Sequence, residues 1–281
     1  MAEGTAGADS PVQRVVDAAN TRPVVWWARL GLVARGLVYL FMGLIGLSIA
    51  FGNKEPVDQK SALSDLLSLP LGIVVVSLCC LGFLGYSVWR FSEALGGAVV
   101  DGDSPTARAK SFARGVIYLV LAVTALSVVL GSRTTQGSQQ RGIIAWILGL
   151  PAGWVLVGAI GVIVVGVGLG LAIEGVRGNF LRYLDHSDMS PRTRRLVRVL
   201  GTVGSVLRGC VVVLIGVVLI MTAVAEDARL ATGMDGAFQL LARLPQERPQ
   251  LVFLSFGLVV FGIYGLMEAR YRRVGTHGNE G

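Results

Sequence analysis

Three arginines and three glutamates recur in this sequence inside or at the edge of long apolar runs. Arg35, Arg114 and Arg208 each precede a glycine, within LVARGLVYLFMG, SFARGVIYLVLA and SVLRGCVVVLIG. Glu93, Glu174 and Glu268 each close a glycine-rich apolar stretch. A guanidinium offers a rigid fork of donors that fits a carboxylate or a phosphate, and a carboxylate offers the matching acceptors. Three uses follow from these residue types. The six charges can pair and fix helix packing, line a polar path for an ion or small anion, or snorkel singly to headgroups.

The spacing shows that the six belong to one repeated unit. Between arginine and glutamate lies a proline, Pro70, Pro151 or Pro245, with arginine-to-proline separations of 35, 37 and 37 residues. Proline to glutamate is 23 residues in every copy, and copies two and three are related by one offset of 94 at all three landmarks. Tyr39 and Tyr118 lie one turn beyond Arg35 and Arg114, but Val212 stands at that place in copy three, so the tyrosine is not required by every copy. Copy one adds a stripe of Tyr86, Arg90 and Glu93 at i, i+4 and i+7, where the others carry Val167, Leu171 and Phe261, Gly265. A local Arg90–Glu93 pair is the simplest account of it.

The elements that hold these residues are membrane helices. Only 15% of the 281 residues are charged, 53% are apolar and 38 are glycine, a composition suited to lipid as solvent. Six runs, at about 29–51, 70–92, 112–131, 151–173, 200–225 and 250–269, approach or exceed the roughly 20 residues a helix needs to span the hydrocarbon core. Before each proline, ALSDLLSLP, IIAWILGLP and AFQLLARLP are too short to span and are read as interfacial helices. The proline is then expected in the first turn of the return helix, where its missing N–H costs nothing.

The expected fold is all-α integral membrane, with six transmembrane helices in three tandem two-helix hairpin repeats of parallel orientation, a pseudo-threefold bundle. The divisions are 1–24, an N-terminal segment that is disordered or amphipathic; 25–100, repeat one; 101–176, repeat two; 177–197, a basic loop; 198–271, repeat three; and 272–281, a tail. Residues 1–24 contain Glu3, Asp9 and Asp17 and no central apolar run, so they do not read as a secretory signal.

Basic residues divide 18 to 7 between the two sides, and 15 to 7 without the repeat arginines, which by the positive-inside rule puts both termini in the cytoplasm. The arginines then lie on the order of 10 Å inside the cytoplasmic surface. A charge at the bilayer centre costs roughly 2.5 to 3.5 kcal/mol, and less near the interface. Six charges at that level suggest a ring of pairs stapling the cytoplasmic half of the bundle. The 175–199 loop holds Arg192, Arg194, Arg195 and Arg198, and Ser190–Pro191 is a helix-starting pair there. Membrane lipids, with anionic headgroups at this loop, are its expected partner. No aromatic interleaving points to nucleic acid, and a protein partner is open.

Cys79, Cys80 and Cys210 fall inside spans, and His186 and His277 are far apart, so neither a disulfide framework nor a metal is expected, nor any cofactor. No G-x-S-x-G, H-E-x-x-H or phosphate-loop pattern appears, so no enzyme is expected. Gly166 and Gly170, and Gly82, Gly85, Gly158 and Gly161, would permit close helix contact. A scaffold or interaction protein with structural Arg–Glu pairs is the expected function; a small channel or transporter for an ion or small anion is the alternative.

The repeat unit resembles the bacterial membrane proteins, common in actinobacteria, built from three copies of domain of unknown function number twelve hundred and six. ARGLVYLFMG, ARGVIYLVLA and LRGCVVVLIG carry the resemblance, with the downstream proline, the glycine-rich second helix and its Glu-Ala or Glu-Gly end. It covers about residues 24–271 and implies six helices and a bacterial inner membrane. It implies no activity.

Overall fold

A computed structural model describes residues 22–52, 57–96, 104–132, 136–185, 189–231, 233–241 and 247–272. Most of the 1–24 segment and the tail beyond 272 lie outside them. Long helices α1 (Arg22–Ala50), α3 (Gly72–Gly96), α4 (Pro105–Val129), α6 (Gly153–Arg177), α7 (Pro191–Ala225) and α9 (Glu247–Tyr271) alternate with short ones. These are α2 (Gln59–Ser68), α5 (Gln136–Leu148) and α8 (Gly233–Leu241), one before each return helix. Among the described residues six helices are long and apolar enough to cross a membrane, so the chain is an all-α multi-pass protein of three two-helix repeats. The end where α1 starts and α9 finishes is called here the basic end.

Local chemistry sets the helix starts. Ser104 and Ser190 cap α4 and α7 through bonds from the Ala107 and Thr193 amides, each with proline in the first turn. Asp58 does the same for α2 through the Ser61 amide, at 2.7 Å. At 35 residues α7 is about 52 Å long, well beyond the roughly 30 Å hydrocarbon core. Its overhang carries Arg192, Arg194, Arg195 and Arg198, all exposed.

Pro70 and Pro151 do not occupy the first helical turn as expected. Each sits in a tight turn, followed by a left-handed residue, Leu71 (φ 62°) or Ala152 (φ 57°), and then by the glycine that begins the helix. A Cβ at Gly72 or Gly153 would lie 2.2 Å or 1.9 Å from a carbonyl oxygen of the preceding short helix. The glycine of the Pro-x-Gly turn is thus sterically required, and the proline stands in the turn before the helix rather than within its first turn. Pro245 lies outside the described residues.

The closest packing runs between repeats, not within them: α6 on α7, α9 on α1 and α3 on α4. One design recurs at all three. The glycine after each arginine, Gly36, Gly115 or Gly209, faces the residue 17 places beyond the preceding repeat's proline. Added Cβ atoms would put Gly262 2.8 Å from the Gly36 carbonyl oxygen and Gly168 2.9 Å from that of Gly209. At the third interface Ser87 Oγ donates instead to the Gly115 carbonyl at 2.8 Å. Seven residues further along each first helix, Gly43, Ala122 and Gly216 meet Ser255, Cys80 and Gly161 in the same way. Small residues at heptad spacing let the backbones approach, as lipid-embedded helices need. Gly166 and Gly170 do not take part: a Cβ at either meets nothing within 4 Å, and Gly161, Gly168 and Gly175 form the contacting edge of α6.

Within repeats one and three the hairpins also close, α1 on α3 and α7 on α9. Glycines make this possible four residues before each arginine and twelve after each proline. They are Gly31 and Gly82, which meet each other, and Gly204 and Gly257, which meet Phe261 and Leu207 across the α7–α9 contact; an added Cβ at each would stand 2.3–2.7 Å from its nearest neighbour. In repeat two those places hold Lys110 and Ile163, both exposed. Accordingly α4 and α6 show no extensive packing among the described residues. The expected threefold ring is therefore open within its second repeat.

Candidate functional site

The repeat arginines and their neighbours meet in the centre of the bundle near the basic end. Arg35 on α1 makes an ion pair with Glu268 on α9, a contact between the first and last membrane helices. Glu268 is 5% exposed and also pairs with Arg272, four residues on, so one carboxylate serves two guanidiniums. Arg90, buried on α3, pairs with Glu93 and donates from Nε and Nη2 to the Tyr86 hydroxyl at 3.0 and 2.8 Å. Glu93 also accepts the Ser111 hydroxyl of α4 at 3.4 Å.

The expected ring of Arg–Glu pairs is not what forms. At the interface where Glu268 reaches Arg35, the equivalent partners elsewhere would be Glu93 with Arg114 and Glu174 with Arg208. Arg90, which only repeat one possesses, takes Glu93 instead. Glu174 is exposed on α6, and neither Arg114 nor Arg208 has an ion pair among the described residues. Among the described residues one pair joins repeats, two are local, and Arg114, Arg208 and Glu174 stand outside them.

Aromatic rings take the place of the missing carboxylates. Arg208 Nε donates to the Tyr39 hydroxyl at 3.0 Å, and the guanidinium sits 5.3 Å from the Tyr39 ring and 4.8 Å from that of Phe261. Phe261 has Arg35 within 5.5 Å as well. Arg114 lies 6.0 Å from the Tyr183 ring. Cation–π contacts at part-buried sites are worth about 0.5 to 2 kcal/mol each, more as water is excluded. The arginine of repeat three looks to the tyrosine position of the next repeat in the cycle, Arg208 to Tyr39 of repeat one. Arg114 would look to Val212, which has no ring. Tyr183 substitutes from the linker, carried in by a 3-10 turn (Asn179–Tyr183) and a bridge that pairs Leu184 with Arg272. The Asp185 amide completes that bridge on the Tyr271 carbonyl at 2.7 Å.

Among the described residues, Arg35, Arg90 and Arg272 thus share Glu93 and Glu268, and Arg208 has no ion pair. Donors outnumber acceptors too: Arg35 Nε, Trp89 Nε1 and the Tyr118 hydroxyl are buried without a hydrogen-bond partner among the described residues. The arrangement can hold helices together and can accept negative charge. Sequence reasoning missed Arg272 and Tyr183. Arg272 had a signal, since Glu268-x-x-x-Arg272 is a favourable i, i+4 pair that repeats one and two lack, with Gly97 and Gly178 there. Tyr183 had none, because a bridge between distant segments places it.

The chain matches the family described as Domain of Unknown Function (DUF1206) at residues 30–97, 109–178 and 203–272. It is similar to the uncharacterized protein YxxB of Bacillus subtilis (strain 168), 28% identical over 259 residues, covering 91% of this chain and 94% of the relative. No solved structure matches it.

Proposed function

We propose that this chain, which belongs to the family of the Domain of Unknown Function (DUF1206) and carries it in three tandem copies, is a non-enzymatic scaffold of the bacterial inner membrane whose buried charges are structural. The observation that carries this is the Arg35–Glu268 contact, which ties repeat three back to repeat one through a part-buried pair. A carboxylate already bound to two guanidiniums is poorly placed to hand an ion onward. The 18 to 7 division of basic residues supports cytoplasmic termini. The exposed arginines at the start of α7 suit anionic headgroups on that side.

Folded yield and anion flux, measured together, test the reading. Arg35→Ala should lower folded yield in the membrane, and wild-type proteoliposomes should conduct no faster than empty ones. A wild-type flux that Arg114→Ala abolishes while folded yield stays intact would replace the scaffold by the transporter alternative. Reporter fusions check the topology, and an external C-terminus would overturn it.

A further inference from the structure

The core near the basic end holds more donors and more positive charge than its two carboxylates can answer. Glu93 and Glu268 pair with three guanidiniums, those of Arg35, Arg90 and Arg272, which leaves an excess of one positive charge in this group of ion pairs. Arg208 stands beside them, its guanidinium 4.8 Å and that of Arg35 5.5 Å from the same Phe261 ring. Three buried donors have no partner among the described residues: Trp89 Nε1, the Tyr118 hydroxyl and Arg35 Nε. Trp89 is 2% and Tyr118 6% exposed. Both residues pack on one buried ring, that of Tyr86, with the Trp89 ring at 5.3 Å and the Tyr118 ring at 4.2 Å. The Arg90 and Arg272 guanidiniums lie 5.1 and 5.9 Å from the same ring. Arg272 is also 5.7 Å from the Trp89 ring, and it is joined to Arg35 through their shared carboxylate, Glu268.

An indole and a guanidinium only donate hydrogen bonds. A water could take those bonds, but its own two protons would then need acceptors where donors are already in excess, and it would oppose no charge. A small anion only accepts, and a single negative charge balances the excess. We propose that this nest binds one chloride-sized monovalent anion, held by Trp89 Nε1, the Tyr118 hydroxyl and Arg35 Nε, with the guanidiniums of Arg90 and Arg272 beside it. Repeat one alone supplies the pair of residues that makes the site. Where its return helix has Trp89 and Arg90, repeat two has Gly170 and Leu171, and repeat three has Tyr264 and Gly265. One anion per chain follows from that asymmetry. The bound anion joins α1, α3 and α4 as a resident ion. It does not depend on the scaffold reading, which falls on anion flux, whereas the site falls on anion binding.

Unfolding of the full chain in mixed micelles, followed as chloride replaces the bulky anion gluconate at constant ionic strength, tests this directly. Chloride should raise the unfolding midpoint, and the rise should grow with concentration as binding to one site requires. Trp89→Phe and Tyr118→Phe should each weaken chloride affinity at least about tenfold, the loss of one hydrogen bond to a charged group. In gluconate alone, Tyr118→Phe should leave the midpoint unchanged or raised. Trp146→Phe, at an exposed tryptophan of α5, should respond to chloride like the wild type. Should Trp89→Phe not fold, bromide soaked into crystals of the wild-type chain should give one anomalous peak beside Trp89 and Tyr118. The proposal is overturned by a midpoint that ignores chloride, by wild-type chloride affinity in the Trp89 and Tyr118 variants, or by bromide at exposed arginines alone, an adventitious ion only.

Discussion

Glu268 lies between the part-buried Arg35 and the buried Arg272, and its removal should strand both. Breaking a buried pair by deleting one partner costs about 3 to 5 kcal/mol, so Glu268→Gln should lower unfolding stability in mixed micelles by that order. Glu174→Gln, at the equivalent but exposed position, should change it by no more than about 0.5 kcal/mol. Equal losses would mean that the two glutamates are equivalent after all. The tyrosines divide in the same way. Tyr39→Phe removes the acceptor of the Arg208 bond and should cost about 1.5 to 3 kcal/mol. Tyr118→Phe removes a hydroxyl with no partner among the described residues and should be neutral or stabilising in chloride-free micelles. The six charges were legible from spacing alone, but their pairing was not. Residues that the copies do not share break the symmetry: Arg90 captures Glu93, Arg272 joins Glu268, and Val212 leaves Arg114 to a linker tyrosine.

Six spanning helices and three short helices before the return spans were readable from apolar run length, because lipid imposes that length on any helix that crosses it. Which glycines touch was not readable, since α6 offers glycine on several faces and only contact with α7 selects one. Gly168→Ala places a Cβ 2.7 Å from the Val213 amide nitrogen, where backbone must move, and should cost about 1 to 3 kcal/mol. Gly166→Ala, with nothing within 4 Å, should be tolerated or slightly stabilising through helix propensity. Reversal of that order in an unfolding series would show that α6 presents a different edge to α7. The short helix α8 brings a pH dependence. Burial pushes the Asp235 carboxyl up, partly offset by the Val57 amide, Arg141 and a 2.7 Å bond from Gln239, while Asp58 adds to the rise. A raised folded-state value means the native chain holds the proton more tightly than the unfolded one. The stability from this group is complete below the ordinary aspartate value of about 3.9 and is lost as pH rises through the raised value. Asp235→Asn should flatten that fall in a pH series of unfolding midpoints, and an unchanged slope would exclude Asp235 as its source.

The six membrane helices form an array closed between repeats three and one and opened within repeat two. Closure matters because each repeat's second helix packs on the next repeat's first, so without the α9–α1 contact the array would have two free ends. The sequence shows why the opening falls where it does, once the sealing glycines are known: Lys110 and Ile163 are the residues that fill their places. A double-mutant cycle with Arg35→Gln, Glu268→Gln and both together, read by unfolding in mixed micelles, tests closure most directly. The account predicts that the double variant loses less than the sum of the singles, with a coupling of about 1 to 3 kcal/mol. Additivity within about 0.5 kcal/mol would mean that the two charges do not act on each other, and would contradict it.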